Sequence, residues 1–218
     1  MAQTPLNGLR FFGVAAHDPT ATESLAEGTS LIQLRSLAAV VAAARYARVA
    51  LDEREMEDYT RVLEEVQAMT SVLPAPPGTV FKSRESLLRW LELHYFTLTQ
   101  TMSAIEGHAQ ARLTAVKTAG VDPSNATGAE AKESAKQLVA TASQSMRVLR
   151  GQSAATITLP VPDDETRVVA QASFLVELDR WQQFAELVEK EDKRQTALDF
   201  HLTGPWPPYD FVKMQFGA

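Results

Sequence analysis

The sequence predicts an α+β fold in two domains, residues 1–106 and 107–218, and three observations carry that expectation. Apolar residues recur at spacings of three and four over 52–70, 83–105, 128–150 and 179–193, the mark of helices that bury one face. They alternate with polar residues over 109–115, 167–178 and 198–202, the mark of half-buried strands. The period switches from 3.6 to 2 at Glu106-Gly107, which sets the boundary there. The chain has 218 residues, 45% hydrophobic and 22% charged. That is enough apolar material for hydrophobic cores without disulfides or metals as staples.

In the first domain, "LRFFGVA" (residues 9–15) is short, aromatic and glycine-bearing, and reads as a strand. From Ser30, Ile32 and Leu34 alternate with Gln33 and Arg35, a second strand. The alanine-rich stretch after it is ambiguous. Alanine favours helix, while Val40-Val41 and the short spacing allow the return strand of a hairpin. The next helix carries Met56, Tyr59, Val62, Leu63, Val66 and Met69 on one stripe, with Asp52 and Glu55 placed as a capping box. "VLPAPPGTVF" (72–81) breaks it, since proline removes amide donors, and Gly78 suits a positive-φ turn. Ser83 opens a helix with Leu87, Leu91, Tyr95, Leu98, Met102 and Ile105 along one face.

In the second domain, Ala109, Ala111, Leu113 and Ala115 define a strand. Thr127 and Glu130 form a capping box for a helix whose stripe is Ala135, Leu138, Val139, Ala142, Met146 and Leu149. Ile157, Leu159 and Val161 alternate with Thr156 and Thr158, and Pro160 and Pro162 restrict that strand to an edge. Val168, Ala170, Ala172, Phe174 and Val176 share one face of the strongest strand. Asp179 caps a helix with Trp181, Phe184 and Val188 inward, and a last strand stops at Gly204-Pro205. The order β-α-β-β-α-β is ferredoxin-like, with two helices on one sheet face.

Composition excludes several functions. There are no cysteines, so disulfides, thiolate metal sites and Cys nucleophiles are ruled out. The net charge is −6 with scattered Lys and Arg, which argues against nucleic acid as the main partner. Residues 1–30 lack the apolar core of a signal peptide, and the longest apolar run, Leu37 to Ala44, is too short to span a bilayer. The expectation is a soluble cytoplasmic protein. His17, His94, His108 and His201 have no metal-pair spacing, and a partly buried, hydrogen-bonded side chain is the simpler account of His94. Asp163-Asp164-Glu165 lacks the spacing of a calcium loop and reads as a solvated turn. No nucleophile, base and oxyanion set is assembled, so no catalytic, metal or cofactor-binding residue is assigned.

The segment Leu202–Phe211, "LTGPWPPYDF", is the most informative. Pro205, Pro207 and Pro208 are expected to hold Trp206 and Tyr209 in an extended, polyproline-like path. Trp206, Tyr209 and Phe211 then supply large apolar surfaces, either folded back over the chain's own sheet or the domain junction, or offered to a partner. Trp206, Pro207, Pro208, Tyr209 and Phe211 are therefore the candidate partner-binding residues.

That tail resembles the C-terminal signature of the GvpF/GvpL family of gas-vesicle accessory proteins. "SFLVELDRWQQFAELVEK" is similar to the strand and helix before the signature, "VLPAPPGTVFKSRESLLRWL" to the family's central "P…GTVF" turn and helix, and "LRFFGVA" to its opening strand. Ala75-Pro76-Pro77 departs from the apolar-Arg-Phe sequence common at that turn. The resemblance implies a two-domain α+β protein that is not an enzyme. It implies a minor component or assembly factor that contacts the main shell protein, GvpA, and other accessory proteins, in the cytoplasm and at the vesicle. The competing reading is a ferredoxin-like small-ligand-binding or oxygenase module, which needs a polar pocket or a cofactor.

Overall fold

The structure is a computed structural model that describes residues 7–17, 25–118, 128–161 and 167–214. The expected Thr127–Glu130 capping box and the Asp163-Asp164-Glu165 turn lie outside the described residues or side chains. Helices and antiparallel sheets make the fold α+β. The chain forms two compact units, one holding the residues up to Glu106 together with the segment from Pro207, the other Gly107–Trp206.

The first unit contains β1 (Gly8–Ala16), β2 (Ser30–Leu34), β3 (Leu37–Ala44), α1 (Glu53–Met69), β4 (Val72–Pro74), β5 (Val80–Phe81) and α2 (Arg84–Ile105). The strands are ordered β2-β3-β1-β4, with β5 also on β1. The ambiguous alanine-rich stretch is β3, paired antiparallel with both β2 and β1. Successive side chains of a strand point to opposite faces. Phe12 accordingly packs with Tyr59 of α1, while Phe11 meets Trp90 of α2 with ring centroids 5.6 Å apart. The sheet is thus covered by a helix on each face.

Residues 72–81, expected only to break the helix, also supply two short strands that continue each other along β1. Ala75 donates its amide to the Phe12 carbonyl at 2.8 Å, and Gly78 takes the positive φ of 78° that its turn requires. Gly13 makes this approach possible. A Cβ there would lie 2.4 Å from the Leu73 carbonyl oxygen.

The helix starts follow from their caps. The Asp52 carboxylate accepts from the Glu55 amide, and Ser83 and Ser86 form a complete capping box. Two residues of the expected α1 stripe, Met56 and Met69, are exposed. Tyr95, expected on the buried α2 face, is only half-buried. Its hydroxyl lies 2.9 Å from the Ser36 hydroxyl and its ring lies under Arg35.

The second unit runs β6 (His108–Lys117), α3 (Gly128–Arg150), β7 (Ala155–Leu159), β8 (Val168–Glu177), α4 (Trp181–Arg194) and β9 (Leu198–Trp206). Its antiparallel sheet has the order β7-β8-β6-β9. Ala111, Leu113, Ala115, Ala172 and Phe174 face both helices and meet Ala142 and Leu149 of α3 and Phe184 and Val188 of α4.

The second unit departs from four expectations. Asp179 does not cap α4: it sits in a short 3₁₀ turn, and the helix starts after Arg180 without a side-chain cap. Ala135 and Val139 are exposed, and among the described side chains of α3 the stripe packs through Leu138, Ala142, Met146 and Leu149. On β7 it is Thr156, opposite Phe174, that shares the helix-covered face, so Ile157 and Leu159 point to the other face. Finally, β9 does not stop at Gly204-Pro205 but continues to Trp206, which pairs with Gln110. A register irregularity between Gln110 and Arg112 accommodates the proline, and Gly204 is needed because a Cβ would meet the Gln110 carbonyl oxygen at 2.6 Å.

Candidate functional site

The tail does not belong to the second unit as expected. From Pro207 it joins the first. Pro207 and Pro208 have no amide hydrogens and cannot extend the ladder. The expected polyproline-like path gives way to a turn, in which Tyr209 donates its amide to the Pro207 carbonyl at 2.7 Å and Phe211 to that of Pro208 at 3.1 Å. The turn sets the partly buried Tyr209 ring against the core between the sheet and α1, 6.2 Å from the Tyr59 ring.

Three stretches far apart in sequence then line one groove of about 460 Å³. Met56, Tyr59 and Thr60 come from α1, Pro74 from the end of β4, Ala75 to Pro77 from the turn after it, and Tyr209, Val212, Lys213 and Met214 from the tail. Tyr59 sits in an apolar stripe because its hydroxyl is satisfied there, donating to the Ala75 carbonyl at 2.5 Å. Burial pushes both phenols well above the usual tyrosine range, and the Glu64 carboxylate adds to the shift at Tyr209. Phe211 turns the other way. With Leu73, Trp90, His94 and Leu98 it lines a second groove, of about 380 Å³, on the α2 side. His94 stacks obliquely beside Trp90 there, ring centroids 5.0 Å apart.

Of the five candidate residues, Tyr209 and Phe211 line these grooves, Pro207 and Pro208 are buried behind the turn, and half-buried Trp206 ends β9 in the other unit. They do not form one aromatic arm. The α1 residues of the groove were missed as a site. The signal available was Tyr59 itself, a hydroxyl on an otherwise apolar stripe.

The charges around the groove are uneven. On one side of α1, Arg10 of β1 pairs with Glu55 at 2.8 Å and Asp58 at 2.5 Å, its guanidinium 4.4 Å from the Phe12 ring centre. Arg61 binds Asp58 and Glu65. Burial raises the Asp58 carboxyl, but hydrogen bonds from Arg61 and Arg10 outweigh it and hold the group below the usual range. At Glu55 burial prevails over Arg10, and the carboxyl lies above it. Glu53, Glu57 and Glu64 follow the ridge that includes Thr60, and none forms an ion pair with another described residue. Among the described residues no group of His, Asp or Glu is arranged to hold a metal ion, and no helix is long and apolar enough to cross a membrane.

The model of the gas vesicle synthesis protein GvpL/GvpF family matches residues 11–151 and 124–213. The chain is 26% identical over 201 residues to gas vesicle protein F1 of Halobacterium salinarum, covering 88% of this chain and 85% of that protein. It is 27% identical over 195 residues to gas vesicle protein F2 of the same organism, covering 86% and 81%. The crystal structure of GvpF from Anabaena sp. PCC7120 superposes with a TM-score of 0.73 at 15% identity, over 96% of this chain and all of that one. That of GvpF from Microcystis aeruginosa gives 0.71 at 18%, over 95% of this chain and all of that one. At these identities the two structures speak for the fold.

Proposed function

Because the chain belongs to the GvpL/GvpF gas vesicle synthesis family, we propose that it is a non-enzymatic accessory protein of gas-vesicle assembly that contacts the main shell protein, GvpA. It acts in the cytoplasm and at the growing vesicle, as an assembly factor or minor component. One observation supports the site of contact: the tail signature and the "P…GTVF" turn, two of the stretches that carry the family resemblance, line the same groove. A surface of Tyr, Met and Pro side chains suits apolar docking rather than bond-making chemistry. A shell subunit before assembly is an apolar, aggregation-prone partner of the kind such a groove would hold.

The test is capture of purified shell subunit by the immobilised protein. Wild-type protein is expected to retain it, and Met56→Ala/Tyr209→Ala to retain about tenfold less while keeping its circular dichroism. Unchanged capture by the folded double variant would move the contact away from the groove. No capture by the wild type would remove the shell-contact reading.

A further inference from the structure

We propose that the groove takes an amphipathic helix of a partner protein whose apolar face is bordered by lysine or arginine. This rests on the reading of the groove as a partner-docking site and adds the chemistry of what docks. The floor is apolar and adaptable: Met56 and Met214 flank Tyr59 and Tyr209. The rim is anionic. Glu53, Glu57 and Glu64 lie on one ridge of α1 with Thr60, itself a lining residue, between them.

On the opposite side of α1, Glu55, Asp58 and Glu65 are each paired with Arg10 or Arg61, so the carboxylates of α1 without an ion-pair partner lie on this ridge. Glu64 is near enough to act electrostatically on Tyr209 in the groove. From Glu53 to Glu64 the ridge runs about 16 Å, three helical turns, which basic residues at matching helical spacing can follow. Lys213 is the one cation among the described lining residues. It stands on the tail, across from the ridge, and favours an acidic or neutral residue on that flank of the incoming helix. An anionic helix would meet three unpaired carboxylates and be repelled.

The experiment uses two fluorescein-labelled 16-residue peptides with the same leucine stripe, one bordered by lysine and the other by glutamate. Fluorescence anisotropy is read with the full chain at low and high salt. The lysine peptide is expected to bind at least about tenfold tighter, with an advantage that shrinks as salt screens the ridge. Glu53→Gln/Glu57→Gln/Glu64→Gln, all on the surface of α1, is expected to weaken the lysine peptide about tenfold and to flatten its salt dependence. Tyr209→Ala is expected to weaken it while the protein stays folded. Equal binding of the two peptides, no binding of either, or binding indifferent to the triple variant or to Tyr209→Ala would overturn the proposal. Shell capture separates the two readings. If wild-type and triple-Gln proteins capture the shell subunit equally, the docking function stands and the cationic helix falls. If the wild type captures none, both fall.

Discussion

The two sheets of this protein meet their helices differently. The first is covered on both faces, by α1 through Phe12 and by α2 through Phe11. The second has both helices on one face, over Ala111, Leu113 and Phe174. A strand buried on both faces has no reason to alternate. Hence β3 reads Leu-Ala-Ala-Val-Val-Ala-Ala-Ala, all buried to Val41, a pattern that a buried helix shares. A strand covered by helices on one face keeps its burial period only where its other face is exposed, as β6 does from Ala111 to Ala115. In β8 the period is lost, Ala172 to Val176 all being buried, Ser173 and Leu175 among them. The same difference moves the tail. The first unit has a cleft at its β4 edge that admits Tyr209 on one side and Phe211 on the other.

The comparison breaks most easily at the one-sided core. Phe174 is fully buried and packs at a tilt against Phe184, ring centroids 5.4 Å apart. Phe174→Ala is expected to lower stability by about 3–5 kcal/mol in a denaturant titration. A loss under about 1 kcal/mol would put the helices on the other face. The two-sided sheet breaks at its closest backbone approach. Gly13→Ala forces a Cβ toward the Leu73 carbonyl and is expected to cost about 1–3 kcal/mol. A neutral result would mean that β4 does not lie against β1 as described.

The sequence made the second unit legible because alternation, helical spacing and breakers agreed there. It was less informative about residues 74–77 and the tail. Pro74, Pro76 and Pro77 announce a break, but the short strands on either side, Val72–Pro74 and Val80–Phe81, are too brief to leave a period. Pro207-Pro208 announces a change of path but not its destination. Tyr209 joins Tyr59, 150 residues earlier, through a contact that no local pattern encodes.

A smaller effect sharpens the account of the groove. Tyr59→Phe removes the hydrogen bond to Ala75 and is expected to cost about 1 kcal/mol near neutral pH. It also bears on alkaline stability. Burial raises the Tyr59 pKa in the folded state, so the folded protein holds a proton that the unfolded chain releases. Stability is therefore retained below the unfolded value of about 10 and lost progressively as the pH climbs from there through the raised folded value. The wild type is expected to lose stability above about pH 10 faster than Tyr59→Phe. In an absorbance titration at about 295 nm, two of the four tyrosines, Tyr59 and Tyr209, are expected to ionise late. Parallel stability curves for wild type and variant would show that Tyr59 is not held neutral by burial.

The smallest expected effect tests where helical periodicity over-reads. The spacing of Ala135, Leu138, Val139, Ala142, Met146 and Leu149 is continuous, yet Val139 is 49% exposed and Leu149 fully buried. The reason is geometric. A sheet of four strands covers only part of a 23-residue helix, and the well-packed turns are those holding Ala142, Ser145 and Leu149. Periodicity reports which side of a helix is apolar; it does not report how far along the helix a partner extends. Val139→Ser keeps helix propensity nearly constant, so packing alone decides the outcome. It is expected to change stability by no more than about 0.5 kcal/mol, whereas Leu149→Ala on the same helix costs about 2–5 kcal/mol. A loss above about 1 kcal/mol at Val139 would mean that the first turns of α3 are covered in solution, and the one-sided sheet would then carry a longer helix interface than its four strands provide.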